Sequence, residues 1–265
     1  MIGVYDSGSG GLSVLKEILR LLPEDNFVFY ADNAHCPYGE KTPEYIKDRG
    51  RAITRTLLES GAEIIVVACN TATGAAISTL RSEFPFIRFI GMEPAVKPAA
   101  LGTRSGVIGV LATEGTLKAS KYLTTKGNYA DECRIEEHVG RGFVELVERG
   151  VLTGPEAEAT VRASLEPLLD AGADTIVLGC THYPFLLQVM EKIAGPGVRF
   201  IDPAPAVARQ TVHVMAETGL LTQEEARAAL ARVSAPVPEN PHVRLLSSGD
   251  PSSEERIFKL ITTNQ

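Results

Sequence analysis

The sequence Gly-Ala-Glu-Ile-Ile-Val-Val-Ala-Cys at residues 61–69 recurs at residues 172–180 as Gly-Ala-Asp-Thr-Ile-Val-Leu-Gly-Cys. The same spacing of 111 residues, from 69 to 180, relates Arg88-Phe89-Ile90 to Arg199-Phe200-Ile201, and Pro94-Ala95-Val96 to Pro205-Ala206-Val207. A weaker match pairs Ile2-Gly3-Val4 with Ile108-Gly109-Val110. Because the stronger matches share one register, the sequence predicts a duplicated α/β unit. We expect the halves to face each other across a pseudo-twofold axis, with the site in the cleft between them.

Short apolar runs alternate with helical patterns along the chain, which predicts parallel sheets covered by helices on both faces. One face of a helix, which Pro23 ends, is marked by Leu12, Leu15, Leu19 and Leu22. Residues 42–44 and 222–225 have the composition of helix N-termini. Ligands of such sheets bind beyond the carboxyl ends of the strands. The predicted strands are Ile2–Tyr5, Phe27–Tyr30, Ile64–Ala68, Ile87–Ile90, Val107–Leu111, Thr175–Gly179 and Val198–Ile201.

The composition excludes several classes of protein. Hydrophobic residues make up 44% and charged residues 22%, as in ordinary globular proteins. The net charge of −7, without any run of Lys or Arg longer than a pair, argues against a nucleic-acid partner. No apolar stretch reaches the roughly 20 residues of a membrane span, and the first residues lack a basic leader. We therefore expect a cytoplasmic protein without a membrane partner.

Four cysteines stand far apart, and in a reducing compartment they are expected to be free thiols. None forms a CxxC pair, and the five His residues are scattered, so we expect no metal site. Cys36 precedes a Pro37-Tyr38-Gly39 turn that can line the cleft. Cys133 lies in a predicted strand without polar neighbours, which favours a place in the core.

The two cysteines of the repeat are the candidates for chemistry. Cys69 and Cys180 each end a predicted strand, and each is followed by small polar residues at a turn into a helix. The helix dipole at such a turn is expected to lower the pKa of a thiol. A buried apolar role for each thiol is the alternative. Inversion of a stereocentre requires one base on each face of the carbon, and a duplicated fold supplies one from each half. The pair therefore predicts racemisation.

Each candidate base has a polar neighbour in the sequence. Asp6 follows the first strand, and His182 lies two residues beyond Cys180, so both are candidate auxiliary acid–base groups. The alternatives are a helix N-cap for Asp6 and a structural role for His182. The loop at residues 6–11, Asp-Ser-Gly-Ser-Gly-Gly, fits neither GxGxxG nor a P-loop. It is a weak candidate phosphate cradle and a better candidate for backbone donors to a substrate carboxylate.

Six segments together resemble the glutamate racemase family, in that family's order and over nearly the whole chain. They are Val4–Gly11, Pro37–Lys41, Cys69–Ala72, Gly91–Ala95, Ala112–Thr116 and Leu178–Pro184. The Cys-Asn-Thr segment alone would fit the wider aspartate/glutamate racemase group. The resemblance implies two flavodoxin-like (Rossmann-like) α/β domains, residues 1–95 with 208–265 and residues 96–207. It also implies a homodimer, no cofactor, and a product, D-glutamate, that feeds peptidoglycan synthesis for the bacterial cell wall.

The resemblance also assigns roles. It implies that Cys69 removes the proton from D-glutamate and Cys180 from L-glutamate, assisted by Asp6 and His182. One departure from the family concerns Glu148, because the family's usual Cys-Pro before Phe-Val-x-x-Val-Glu is replaced by residues 139–142, Val-Gly-Arg-Gly. Glu148 is expected to support the half-site near His182, with an exposed helical Glu as the alternative. The implied substrate contacts are Ser7, Pro37, Tyr38, Gly39, Asn70, Thr71, Thr113, Thr116 and Thr181.

Three other functions stay open from the sequence. A racemase of the same group that acts on aspartate or a hydantoin is the nearest, because thiol spacing does not set the pocket volume. A thiol hydrolase or transferase would use one cysteine as a nucleophile. A phosphate-binding module would use the loop at residues 6–11.

Overall fold

A computed structural model describes residues 1–263 of the chain, and within them the strands form two parallel sheets. The first sheet has the order β4-β3-β1-β2-β9, and the second has the order β6-β5-β7-β8. The strands are β1 (Ile2–Asp6), β2 (Phe27–Ala31), β3 (Ile64–Val67), β4 (Arg88–Ile90), β5 (Val107–Ala112), β6 (Arg134–Val139), β7 (Thr175–Gly179), β8 (Arg199–Ile201) and β9 (Val243–Ser247).

Helices connect and cover these strands, so the architecture is α/β, as predicted. Short 3₁₀ segments span Ser9–Gly11, Asn33–His35, Tyr38–Glu40 and Tyr183–Leu186. The helices are α1 (Leu12–Leu21), α2 (Pro43–Glu59), α3 (Asn70–Glu83), α4 (Val96–Ala100), α5 (Glu114–Leu117), α6 (Ser120–Asn128), α7 (Phe143–Arg149), α8 (Pro155–Asp170), α9 (Leu187–Ala194), α10 (Ala204–Glu217), α11 (Gln223–Leu230) and α12 (Ser252–Thr263).

The capping signals of the sequence act locally as predicted. The side chain of Thr42 accepts a hydrogen bond from the backbone N–H of Tyr45, and Pro43 opens α2. Thr222 and Glu225 form a reciprocal capping box at α11. The apolar face of α1 is buried along its length.

The internal repeat appears as one strand order used twice. The strands β4, β3, β1 and β2 of the first sheet correspond in position to β8, β7, β5 and β6 of the second. The registers agree as well, because Ile64 pairs with Ile2 and Arg88, while Thr175 pairs with Ile108 and Arg199. The two sheets confirm the predicted pair of α/β domains.

Two edge strands were missing from the sequence-based strand list. β6 and β9 both carry polar residues and are only partly buried, so neither gives the continuous apolar run of a central strand. Cys133 precedes β6 rather than lying within a strand, although it is buried among apolar side chains, as expected. β9 pairs with β2, so the C-terminal segment returns to the first sheet. The domain boundaries at residues 95/96 and 207/208 stay a prediction.

Between residues 1 and 263, no helix combines the length and the hydropathy of a membrane-spanning segment.

Candidate active site

A small closed cavity lies where loops from the carboxyl ends of both sheets meet. Its volume is about 10 Å³, which is about the space of one water molecule. The thiols of Cys69 and Cys180 both line it, one from each half of the repeat. The remaining lining residues are Ser7, Pro37, Tyr38, Gly39, Asn70, Thr71, Thr113, Val144, Thr181 and His182.

Cys69 lies at the N-cap of α3. Its Sγ accepts a hydrogen bond from the backbone N–H of Ala72 at 3.4 Å and lies 3.8 Å from the hydroxyl of Ser7. The strand β3 ends at Val67, and Cys69 follows two residues later with an extended backbone as the N-cap of the helix. This corrects the prediction that Cys69 is the last residue of the strand.

The pKa of Cys69 is also shifted in the direction opposite to the prediction. Burial, and next the negative charge of Asp6, raise the pKa of this thiol well above its ordinary value. The Ala72 N–H acts to lower the pKa, but the side chain is only 5% exposed, and the loss of hydration outweighs the helix N-terminus. Cys69 therefore holds its proton in this structure.

Asp6 is fully buried at the end of β1. Its Oδ2 accepts hydrogen bonds from the backbone N–H of Gly11 at 2.6 Å and from the hydroxyl of Thr181 at 3.1 Å. Burial raises the pKa of Asp6, although the nearby charge of His182 opposes the shift. The bond to Thr181 joins the first half of the chain to the turn that carries Cys180.

Cys180 directly follows β7, and its Sγ lies 3.8 Å from Nδ1 of His182. The Nε2 of His182 is 2.7 Å from Oε1 of Glu148. Burial by itself lowers the pKa of His182, but Cys180 and Glu148 raise it well above its ordinary value. Burial by itself raises the pKa of Glu148, but His182, Ser253 and Ser9 lower it to about 2. An ionised Glu148 and a positive His182 thus stand behind Cys180.

The loop at residues 6–11 uses part of its backbone donors within the chain. The backbone N–H of Ser9 donates to Glu148 at 2.8 Å, and the backbone N–H of Gly11 donates to Asp6. Two of the expected donors are therefore used by carboxylates of the chain itself. The carboxylate and phosphate roles of this loop stay predictions, and its Ser7 lines the cavity.

Two glycines of that loop permit a close approach that the sequence did not indicate. A Cβ added to Gly10 would lie 2.3 Å from Nδ1 of His182, and one added to Gly8 would lie 2.3 Å from Oε1 of Glu148. The sequence does contain a signal for this close packing, because Gly8 and Gly10 lie in a loop that matches no phosphate motif. The sequence does not tell, however, which side chains pack against these glycines.

Eight of the nine candidate substrate contacts line the cavity, and five of the nine have the following surroundings. The hydroxyls of Thr71, Thr113 and Thr116 lie within 3.2 Å of one another, but Thr116 does not line the cavity and contacts it through the other two. The Tyr38 hydroxyl donates to the buried carboxylate of Asp32, away from the cavity. Both amide atoms of Asn70 are buried and lack a hydrogen-bond partner.

The ion pair behind Tyr38 was not predicted. Arg49 binds both oxygens of Asp32, at 2.8 and 2.7 Å. Burial by itself raises the pKa of Asp32, but the bonds from Arg49 and Tyr38 lower it overall. The pair anchors the 3₁₀ segment that covers the cavity. Val144 is the cavity residue that the sequence reasoning missed, since an apolar side chain in a helix carries no chemical signal.

Cys36 is half-buried beside the Cys180 half of the site. Ligand atoms of Cys36, Glu148 and His182 lie within 4.8 Å of one another, so the described residues include one group with metal-ligand chemistry. Glu148 and His182 are already bonded to each other there. The predicted absence of a metal stays a prediction.

Comparisons with known proteins agree on one family. The model of the Asp/Glu/Hydantoin racemase family matches residues 2–211. A glutamate racemase of Ectopseudomonas mendocina is 44% identical over 264 residues, which cover 100% of this chain and 95% of that protein. A glutamate racemase of Bacillus anthracis superposes with a TM-score of 0.81 at 30% identity, covering 100% of this chain and 94% of that one. The Escherichia coli glutamate racemase, solved with L-glutamate and the activator UDP-MurNAc-Ala, gives a TM-score of 0.77 at 33% identity, covering 93% and 97%.

Proposed function

The chain belongs to the Asp/Glu/Hydantoin racemase family, with glutamate racemases among its relatives, and on this premise we propose that it interconverts L- and D-glutamate. Cys180 takes the Cα proton of L-glutamate, and Cys69 returns a proton to the opposite face. The roles exchange for D-glutamate. One observation carries the proposal, namely that the two thiols of the duplicated segment line the same cavity.

The electrostatics of the two halves support this division. Cys69 and Asp6 both have raised pKa values, so the first half holds a proton ready for transfer. On the other side, the positive imidazole of His182, backed by the ionised Glu148, faces the sulfur that receives the Cα proton of L-glutamate, with its Nδ1 at 3.8 Å. This arrangement suits proton removal from L-glutamate. After this turnover Cys180 carries the proton that it gained and Cys69 is a thiolate, which is the form that acts on D-glutamate. The form that acts on L-glutamate returns when Cys180 releases its proton to solvent and Cys69 regains one from the neighbouring Asp6.

The groups around the cavity suit glutamate. Two carboxylates and one ammonium of the substrate need several donors and acceptors, which the Thr71 and Thr113 hydroxyls and the Asn70 amide offer. The first-turn N–H groups of α3 add donors at the positive end of a helix dipole. Asn70 is the sharpest indication, because buried amide atoms without a partner are costly unless a ligand satisfies them. The substrate contacts named from the sequence stay proposals.

Entry of the substrate requires the site to open. A cavity of about 10 Å³ is several times too small for glutamate. A larger cavity of about 600 Å³ adjoins it and shares Gly39 and Thr71 with it. The segment Tyr38–Glu40 packs closely on Thr113, since a Cβ on Gly39 would lie 3.0 Å from that of Thr113. Separation of this segment from Thr113 would join the two spaces.

The test is incubation of the purified chain with L-glutamate in D₂O. We expect D-glutamate to form with deuterium at Cα, and C69S and C180S each to lower the rate at least about 100-fold. C133A is the matched control, because Cys133 is buried outside the cavity, and it should retain activity. Glutamate that stays optically pure and unlabelled with folded protein would refute the proposal.

The same measurements separate the alternatives. Rates on L-aspartate, a hydantoin and L-glutamate compare the substrates within the family. A thiol hydrolase would tolerate loss of one cysteine and would form a covalent intermediate. As parts of the same proposal, the enzyme acts in the cytoplasm as a homodimer and supplies D-glutamate for peptidoglycan. Light scattering on the purified chain tests the dimer.

A further inference from the structure

The carboxylate of Glu148 is held at both oxygens. Oε1 accepts from the backbone N–H of Ser9 at 2.8 Å and lies 2.7 Å from Nε2 of His182. Oε2 accepts from the hydroxyl of Ser253, in the first turn of α12. Glu148 itself lies in α7, more than 100 residues earlier, so the C-terminal helix reaches the site through this bond.

The hydroxyl protons can be assigned because an ionised carboxylate only accepts. Ser253 has one hydroxyl proton, and it donates this proton in the hydrogen bond to Oε2 of Glu148. The Ser9 hydroxyl donates to Oε1 at 3.1 Å, and its oxygen lies 3.2 Å from the Ser253 oxygen. Among the described residues, Ser253 is therefore the one side chain that donates to Oε2.

We propose that Ser253 is a positioning residue for the Cys180 half of the reaction, acting through Glu148 and His182. The inference rests on the proposed racemase function. The Ser253 hydroxyl fixes the plane of the Glu148 carboxylate, and this carboxylate orients the His182 ring whose Nδ1 faces Cys180. A carboxylate that has lost one of its hydrogen-bond donors can rotate, and the His182 ring bonded to it is then no longer held in one orientation.

The proposal predicts an effect on one half-reaction only. The polar neighbours of Cys69 are Ser7, the Ala72 N–H and the charge of Asp6, and none belongs to α12. Loss of Ser253 should therefore slow proton transfer at Cys180 and leave Cys69 unchanged. Enantiomers have equal free energy, so kcat/KM must fall equally in both directions, and rates alone cannot reveal the asymmetry.

Isotope effects can reveal it. With L-glutamate deuterated at Cα, Cys180 breaks the labelled bond, so slowing this step increases the isotope effect. With D-glutamate deuterated at Cα, Cys69 breaks the labelled bond before Cys180 protonates the other face. Slowing the later step then decreases the isotope effect.

The experiment compares S253A, S253T and S252A in the full chain. Ser252 is the matched control, because it is exposed and its hydroxyl bonds to Asp250 at 2.9 Å. For S253A we expect kcat/KM to fall about tenfold, as for the loss of one hydrogen bond to a charged group, with a larger isotope effect for L-glutamate and a smaller one for D-glutamate. S253T should recover most of the activity, and S252A should match the wild type.

The outcomes distinguish failure of the positioning role of Ser253 from failure of the proposed racemase function. An S253A enzyme with wild-type rates overturns the positioning role, and so does a lower rate with both isotope effects unchanged, which is the result of general structural damage. A wild-type chain that does not racemise glutamate overturns the proposed function instead. Thermal unfolding of S253A, measured beside S252A, identifies loss of folded protein.

Discussion

Replacing Gly10 with alanine tests the geometry behind Cys180 most directly. The added Cβ would lie 2.3 Å from Nδ1, 2.5 Å from Cε1 and 2.7 Å from Cγ of His182. Ordinary contact begins near 3.4 Å, so the ring must retreat by about 1.1 Å. His182 is held by Glu148 at 2.7 Å and faces Cys180 at 3.8 Å, and a ring displaced by that amount cannot keep both distances. A misplacement of about 1 Å costs on the order of 100-fold in rate.

We therefore expect G10A to lower kcat about 100-fold, with a much smaller effect on folding. Overpacking costs about 1–3 kcal/mol, which corresponds to a Tm lower by about 2–12 °C in a chain of this size. The assay is conversion of L-glutamate followed by optical rotation, with Tm measured on the same sample. G127A is the control, because a Cβ there meets no atom within 4 Å. A folded G10A enzyme with kcat within twofold of the wild type would refute the reasoning.

Two further predictions concern Asn70 and Glu148. N70A should raise KM about 10- to 100-fold, as for the loss of a hydrogen bond to a charged substrate group. Its Tm should change by no more than about 2 °C, because neither amide atom of Asn70 has a partner in the chain. An unchanged KM would contradict the proposed contact. The pKa of Glu148 is lowered from 4.5 to about 2, so its ionised form stabilises the fold above about pH 4.5, and this contribution is lost as the pH falls toward 2. In urea unfolding, E148Q should be less stable than the wild type by up to about 3 kcal/mol at pH 7, a difference that shrinks below pH 4.5. The exposed neighbour variant E145Q is the control, and a pH-independent difference would argue against the ion pair.

The fold was largely readable from the sequence, because central parallel strands are buried on both faces and appear as continuous apolar runs. β3 and β7 were found in this way, together with the register that relates them. β6 and β9 were not, because edge strands are half-exposed and carry polar residues. The capped helices α2 and α11 followed from local hydrogen bonding alone.

The site was readable only in part. The repeat identified both thiols, and the family resemblance supplied most of the residues that line the cavity. The pKa of Cys69 was predicted in the wrong direction, since the number of atoms that exclude water from a thiol depends on the whole fold. The donors of the loop at residues 6–11 were assigned to a substrate, whereas Glu148 and Asp6 use two of them.

The sequence by itself determined the duplicated strands, the starts of α2 and α11 and the placement of a cysteine near the carboxyl end of each matched strand. These features depend on periodicity and on bonds between residues close in the chain. Only the tertiary structure decided that Cys69 sits beside a buried carboxyl with a raised pKa and Cys180 beside a positive imidazole, and that Ser253 supports this imidazole through Glu148. Burial and pairing of charges are set by groups distant in the chain, so no local pattern encodes them.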